Sequence, residues 1–120
     1  MKFLNVTNHK LTAEQLDDLK GIEVVELPEE LKACWGNLTP FNYKSLCKEL
    51  ELYINKEFNT SDMIMIAGFM PAVVELVRIL KDREYNVVYS YTKRIVEEKY
   101  TDVDTVTKTS VFKHQGFYQY

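Results

Sequence analysis

Cysteine is scarce in this chain: Cys34 and Cys47 are its only two in 120 residues, and neither belongs to a CxxC or Cys/His pairing. That excludes a disulfide framework and gives no support to a zinc or redox motif; both thiols are expected to be small core residues. Glycine and proline are few, at four and three. Neither GxGxxG nor GxxxxGK[ST] occurs, so a dinucleotide fingerprint and a Walker-type nucleotide loop are both missing, and dehydrogenase and kinase readings fall away. There are two histidines, His9 and His114, and too few carboxylates in the candidate loops to complete a hydrolytic metal site beside them. No metal and no cofactor is expected. Neither Ser90 nor Ser110 lies in a GxSxG elbow, and both cysteines fall inside expected helices, which leaves covalent acyl chemistry without a well-placed nucleophile.

Long apolar runs are missing too. Met63 to Ala67 and Ala72 to Val74 are far short of the roughly twenty residues that span a bilayer, so no membrane association is expected. The start, Met1 to Val6, lacks the apolar core and cleavage site of a signal peptide and reads as a first strand; a cytoplasmic protein is expected. Net charge is −3, from 15 basic and 18 acidic residues. A broad footprint for long nucleic acid is therefore absent, while a small nucleotide in a local pocket remains open.

What the chain does have is a hydrophobic content of 46%, with six Phe and eight Tyr, enough to argue against disorder. Its length predicts one domain, residues 1–120. Phe3 to Thr7 reads as a strand. Thr12 with Gln15 makes a capping box that opens a helix to Lys20, stopped by Gly21. Ile22 to Leu27 reads as a second strand, and Glu29 to Trp35 as a short helix between Pro28 and Gly36. Thr39 as cap and Pro40 at the first helical position predict a helix to about Lys56, with Leu46, Leu50, Tyr53 and Ile54 on one face. Asp62 to Ala67 is the pattern of a central parallel strand. A helix from near Pro71 follows, ending at Lys81 to Glu84, and then a strand from Asn86 to Tyr91. This alternation predicts an α/β fold: a three-layer, Rossmann-like sheet, mainly parallel. Ile95 to Glu98 and Val103 to Phe112, around the turn-prone Thr101-Asp102, predict a C-terminal antiparallel hairpin on the sheet edge. Phe112, Phe117, Tyr118 and Tyr120 would then leave an aromatic end exposed, which suggests a homodimer.

Three loops converge at one sheet edge if the strands are parallel: Asn8-His9-Lys10, Gly68-Phe69-Met70 and Thr92-Lys93-Arg94. Gly68 lets backbone approach a ligand, and the next helix offers free N–H groups to a phosphate. Lys113-His114 closes the last strand-like run, Thr105 to Phe112. Basic clusters in an acidic chain suggest positive charge collected for an anion, with ordinary strand-end solubilisation as the plainer alternative. Phe69, Tyr91 and Phe117 could stack on bases while Lys93, Arg94 and Lys113 neutralise phosphates; for Tyr91 and Phe117 core packing is an equal alternative.

Several blocks together carry a family likeness: Asn8-His9-(x)-Leu11-Thr12-(x)-Glu14-Gln15; Leu27-Pro28-Glu29-Glu30-Leu31 with Trp35; Thr92-Lys93-Arg94 with Val96-Glu97-Glu98; and Val111-Phe112-Lys113-His114 with Phe117 and Tyr120. They resemble the small stand-alone CRISPR-associated Csx-type proteins, the CARF-like, cyclic-oligoadenylate-sensing group found beside type III systems. The resemblance covers nearly the whole chain. It implies a homodimer that binds cyclic tetraadenylate across its two-fold axis and, in the ring-nuclease members, cleaves it to switch off the antiviral response. In metal-independent cleavage the ribose 2′-hydroxyl attacks the adjacent phosphorus. The implied site then has Lys93 and Arg94 on the scissile phosphate, Thr92 on an oxygen, and His114 or His9 assisting proton transfer. Asn8, His9, Gly68, Phe69, Met70, Thr92 and Lys113 would contact the ring. Two alternatives stay open: a sponge or receptor that binds the ring without cutting it, and an α/β module whose aromatic C-terminus binds another protein.

Overall fold

The computed structural model describes residues 1–100 and 106–120, with side chains for 1–96 and 110–120. Five strands form one sheet in the order β2-β1-β3-β4-β5: β1 (Lys2–Val6), β2 (Glu23–Glu26), β3 (Met63–Ile66), β4 (Asn86–Tyr100) and β5 (Val106–Gln119). The first four run parallel, and β5 is antiparallel to β4. Four helices connect them: α1 (Ala13–Asp18), α2 (Glu29–Trp35), α3 (Tyr43–Glu57) and α4 (Met70–Asp82). The fold is thus α/β with a Rossmann-like parallel sheet and a C-terminal antiparallel pair, as the sequence predicts.

Strand alternation divides the core into two layers. Leu4, Val6, Ile64, Ile66 and Val87 face a large cluster built with Leu46, Leu50, Ile54, Leu76 and Leu80 of α3 and α4. Phe3, Met65 and Val88 point the other way, onto Leu19 just beyond α1. Cys47 lies in the larger cluster, where burial, with the Glu75 charge adding to it, pushes its thiol up to about 11. Cys34 is exposed. Among the described residues no helix is long and apolar enough to cross a membrane.

Asp62 ties the two central strands together at their amino ends. Its carboxylate accepts from the Lys2 N–H at 2.8 Å and the Asn59 N–H at 3.0 Å. Burial alone would raise its pKa from 3.8; the two hydrogen bonds, the N-terminal charge and Lys2 outweigh that and hold it lower. A depressed carboxylate contributes stability that is complete above 3.8 and is lost as pH falls through the lower folded value. Asp62→Asn is therefore expected to lose about 1–3 kcal/mol at neutral pH. It should also show a smaller further loss than the wild type on acidification below 3.8, in urea melts run at both pH values.

Besides shifts of one or two residues, such as α1 ending at Asp18 rather than Lys20, three boundaries differ more widely from expectation. Asn42 accepts from the Thr39 N–H and Thr39 from the Phe41 N–H, so residues 39–42 form a turn, and α3 begins at Tyr43 rather than at Pro40. β4 does not stop at Tyr91 but runs on through Thr92, Lys93 and Arg94. β5 likewise continues past Lys113-His114 to Gln119, which places both basic clusters inside strands. The expected turn at Thr101-Asp102, and the start of the expected run at Val103, lie outside the described residues. β3 pairs with β4 only from Met63↔Asn86 to Met65↔Val88, so beyond Val88 the β4–β5 pair is a two-stranded ribbon. A strand that continues beyond the sheet body in such a ribbon needs no continuous apolar run to sustain it.

Candidate functional site

The connection from β1 goes by α1 to β2 on one side, and α2 and α3 return the chain to β3 on the other, so the strand order reverses between β1 and β3. The carboxyl ends of strands at such a reversal diverge and leave a crevice. A cavity of about 590 Å³ opens there, lined by residues 7–11 after β1, by Ala67, Gly68 and Phe69 after β3, and by Tyr89 and Ser90 of β4. Gln15, Trp35, Gly36, Leu38 and Met65 complete its walls.

The loop after β1 is held from below. Asn5, fully buried, donates to the His9 carbonyl at 2.9 Å and to the Glu26 carboxylate at 3.1 Å. Thr7 donates to Asn5 Oδ1 at 2.8 Å and accepts from the His9 N–H at 3.2 Å. This network fixes the backbone and leaves Asn8, His9 and Lys10 exposed at the cavity mouth. On the opposite wall the Trp35 indole N–H donates to the Ala67 carbonyl at 3.0 Å. Gly68 adopts φ +148°, and a Cβ there would sit 2.9 Å from Trp35 Nε1, so glycine is required both by conformation and by space. Phe69 packs edge-on to Tyr43 and still reaches the cavity. Met70 begins α4 with its side chain exposed, and it does not line the cavity.

His114 is brought behind Ser90, which lines the cavity, by an irregularity in the ribbon. The register steps from Tyr91↔Gly116 to Thr92↔His114, leaving Gln115 as an extra residue on β5. A bulge of this kind re-aims the following side chains. Here it sets His114 and Phe117, three residues apart, on one face, with ring centroids 4.6 Å apart. Phe117 in turn packs on Phe3 at 5.0 Å, a core role rather than a stacking platform. The His114 side chain is 7% exposed. Its Nδ1 lies 2.8 Å from Ser90 Oγ and its Nε2 lies 3.0 Å from Asp18 Oδ2. Gln15 donates to Ser90 Oγ at 3.1 Å, and Glu14 accepts from the His114 backbone N–H at 2.9 Å. One face of α1 thus holds the ribbon base.

The cations expected to crowd the site are distributed otherwise. Lys93 pairs across the ribbon with Lys113, and Arg94, next in the chain, faces the other side, where it donates to Ser110 Oγ at 2.8 Å. Thr92 shares the His114 face and lines a separate hollow with Glu14, Phe112 and His114. None of Lys93, Arg94 and Lys113 lines the main cavity; Lys10 does. Of the residues singled out from sequence, Asn8, His9, Gly68 and Phe69 meet around the cavity and His114 backs it. Lys10, in the first of the three converging loops, lines the cavity as well, whereas sequence reasoning gives Thr7, Gln15, Trp35, Asp18 and Ser90 no place in the site. Gln15 serves both as the cap of α1 and as a donor to Ser90, and the Gln15/Asp18 spacing of three on a helix is the available signal.

Fold and site define a Rossmann-like α/β protein with a crevice at its topological switch point. The chain belongs to the uncharacterized protein MJ1673 family, whose model matches residues 1–118. It is 31% identical over 125 residues to the uncharacterized protein MJ1673 of Methanocaldococcus jannaschii, an alignment covering 99% of this chain and 96% of that protein. No solved structure matches it.

Proposed function

We propose that the protein is a ring nuclease of type III CRISPR signalling: a cytoplasmic, metal-independent phosphodiesterase that binds and cleaves cyclic tetraadenylate. The observation that carries this reading is the switch-point cavity itself, open to solvent, with the Ser90 hydroxyl on its wall and, hydrogen-bonded in series behind it, the His114 imidazole and the Asp18 carboxylate. Cleavage would form a bond from the 2′-oxygen to phosphorus and break the bond to the 5′-oxygen, giving a 2′,3′-cyclic phosphate and a 5′-hydroxyl. Such a reaction needs alignment of the attack, removal of the 2′-proton and stabilisation of phosphorane charge.

Residue roles follow from placement. Asn8, His9 and Lys10 offer polar contacts at the mouth, and Phe69 offers a base an aromatic surface. Lys93 and Arg94 occupy opposite faces of the ribbon, so they serve different phosphates rather than one. A cavity of about 590 Å³ suits a ligand smaller than a four-nucleotide ring. Sharing a two-fold symmetric ring between two copies resolves that mismatch. The exposed aromatics Tyr91 and Tyr118, packed edge to face on one side of the ribbon, supply an apolar surface for the homodimer.

Calorimetric titration with cyclic tetraadenylate is expected to saturate at one ring per two chains; one ring per chain would contradict the shared site. Lys93→Ala and Arg94→Ala are each expected to weaken binding about ten- to hundredfold, the worth of a charge-assisted phosphate contact. Unchanged affinity would remove these two residues from the site.

A further inference from the structure

The hydrogen bonds around Ser90 have a fixed direction. Asp18 can only accept, so the proton of a neutral His114 ring resides on Nε2, 3.0 Å from Asp18 Oδ2. Nδ1 is then bare and accepts from the Ser90 hydroxyl at 2.8 Å. Gln15 agrees with this polarity. Its Oε1 accepts from the Thr12 N–H at 2.8 Å, which turns its amide NH₂ toward Ser90 Oγ at 3.1 Å. Ser90 therefore accepts from Gln15, donates to His114, and keeps its remaining lone pair for the cavity it lines.

We infer that Ser90 is an activated hydroxyl, with His114 as its base and Asp18 as the positioning residue that holds the imidazole tautomer, forming a site for tetrahedral phosphorus. Sequence gave no hint of it, because Ser90 sits within a strand rather than on a nucleophile elbow. The burial of His114, 7% exposed with both ring nitrogens engaged, means that a ligand meets this chain of groups through Ser90 and not through the imidazole. Where the inference rests on the ring-cleavage reading, Ser90 Oγ accepts the 2′-proton as it passes its own proton to His114 Nδ1. The 2′-oxygen bonds to phosphorus, the departing 5′-oxygen takes a proton from water, and the imidazolium later returns its proton to water.

The relay can be tested without that ligand. Diisopropyl fluorophosphate presents an electrophilic phosphorus: Ser90 Oγ forms the bond to phosphorus, the phosphorus–fluorine bond breaks, fluoride leaves and the hydroxyl proton goes to His114. Intact-mass and peptide mapping of the full chain should find one adduct, on Ser90, and none in Ser90→Ala. Asp18 lies at the surface with its side chain 48% exposed, so Asp18→Asn is expected to fold normally. It should label at least tenfold more slowly, and His114→Ala should not label. Labelling in Asp18→Asn at the wild-type rate, or no adduct on folded wild-type protein, would overturn the inference. An adduct on Ser90 with cyclic tetraadenylate left intact would uphold the activated serine and sink the ring-cleavage reading. Cleavage of the ring by Ser90→Ala at the wild-type rate would do the reverse, sparing ring cleavage and removing Ser90.

Discussion

Trp35→Ala is expected to cost about 3–5 kcal/mol, a large share of the 5–15 kcal/mol that holds a domain of this size together. The indole is 3% exposed, packs in the main cluster and hydrogen-bonds the Ala67 carbonyl, so truncation opens a void and strands an acceptor at once. Trp35→Phe separates the two effects. It keeps most of the packing and forfeits the hydrogen bond, and about 1 kcal/mol should be lost. Because the substitutions remove the chain's single tryptophan, unfolding is best followed by far-ultraviolet circular dichroism in urea. Equal losses for the two variants would mean that packing contributes nothing at this wall.

Gly68→Ala should be nearly as costly, roughly 2–5 kcal/mol, from a strained left-handed backbone and from overpacking against a neighbour that cannot yield. The neighbour is Trp35 Nε1, 2.9 Å from where the new methyl would sit. The same contact makes a coupling prediction. In a Trp35→Phe background the clashing nitrogen is gone, and the cost of Gly68→Ala should fall by about 1 kcal/mol or more. Additive costs in the double variant would place the penalty in the backbone alone. Whatever stability remains, the methyl narrows the cavity between β1 and β3, and affinity for any ligand there should drop.

Most of the scaffold was legible in the residues, for local reasons. The Thr12/Gln15 pair forms both hydrogen bonds of a capping box, and Pro28 with Gly36 brackets α2 at the expected ends. The apolar run at β3 is a central strand, paired on both sides. Helix α3 was misplaced at its start because a Thr-Pro pair suits a helix entry and a turn alike, and the Asn42 side chain decided for the turn. The expected strand stops at Tyr91 because the apolar signal ends there, while β4 itself goes on paired with β5 alone.

That one misreading displaced much of the site. Residues that follow β1 and β3, namely Asn8, His9, Gly68 and Phe69, reach the cavity because position after a parallel strand is itself a placement rule. Lys93, Arg94 and Lys113 did not obey it, being inside strands, and alternation then sent neighbouring cations to opposite faces. The Ser90–His114–Asp18 series could not be read at all. It depends on a one-residue bulge at Gln115 and on α1 meeting a strand 96 positions away in sequence.

The most direct test of the whole account is to incubate the purified protein with radiolabelled cyclic tetraadenylate in excess chelator and to analyse the products. A ring nuclease of the proposed kind yields linear oligoadenylate ending in a 2′,3′-cyclic phosphate and a 5′-hydroxyl. A ring recovered intact, whether free or tightly held by the protein, would contradict cleavage; in the held case the cavity would be that of a sponge.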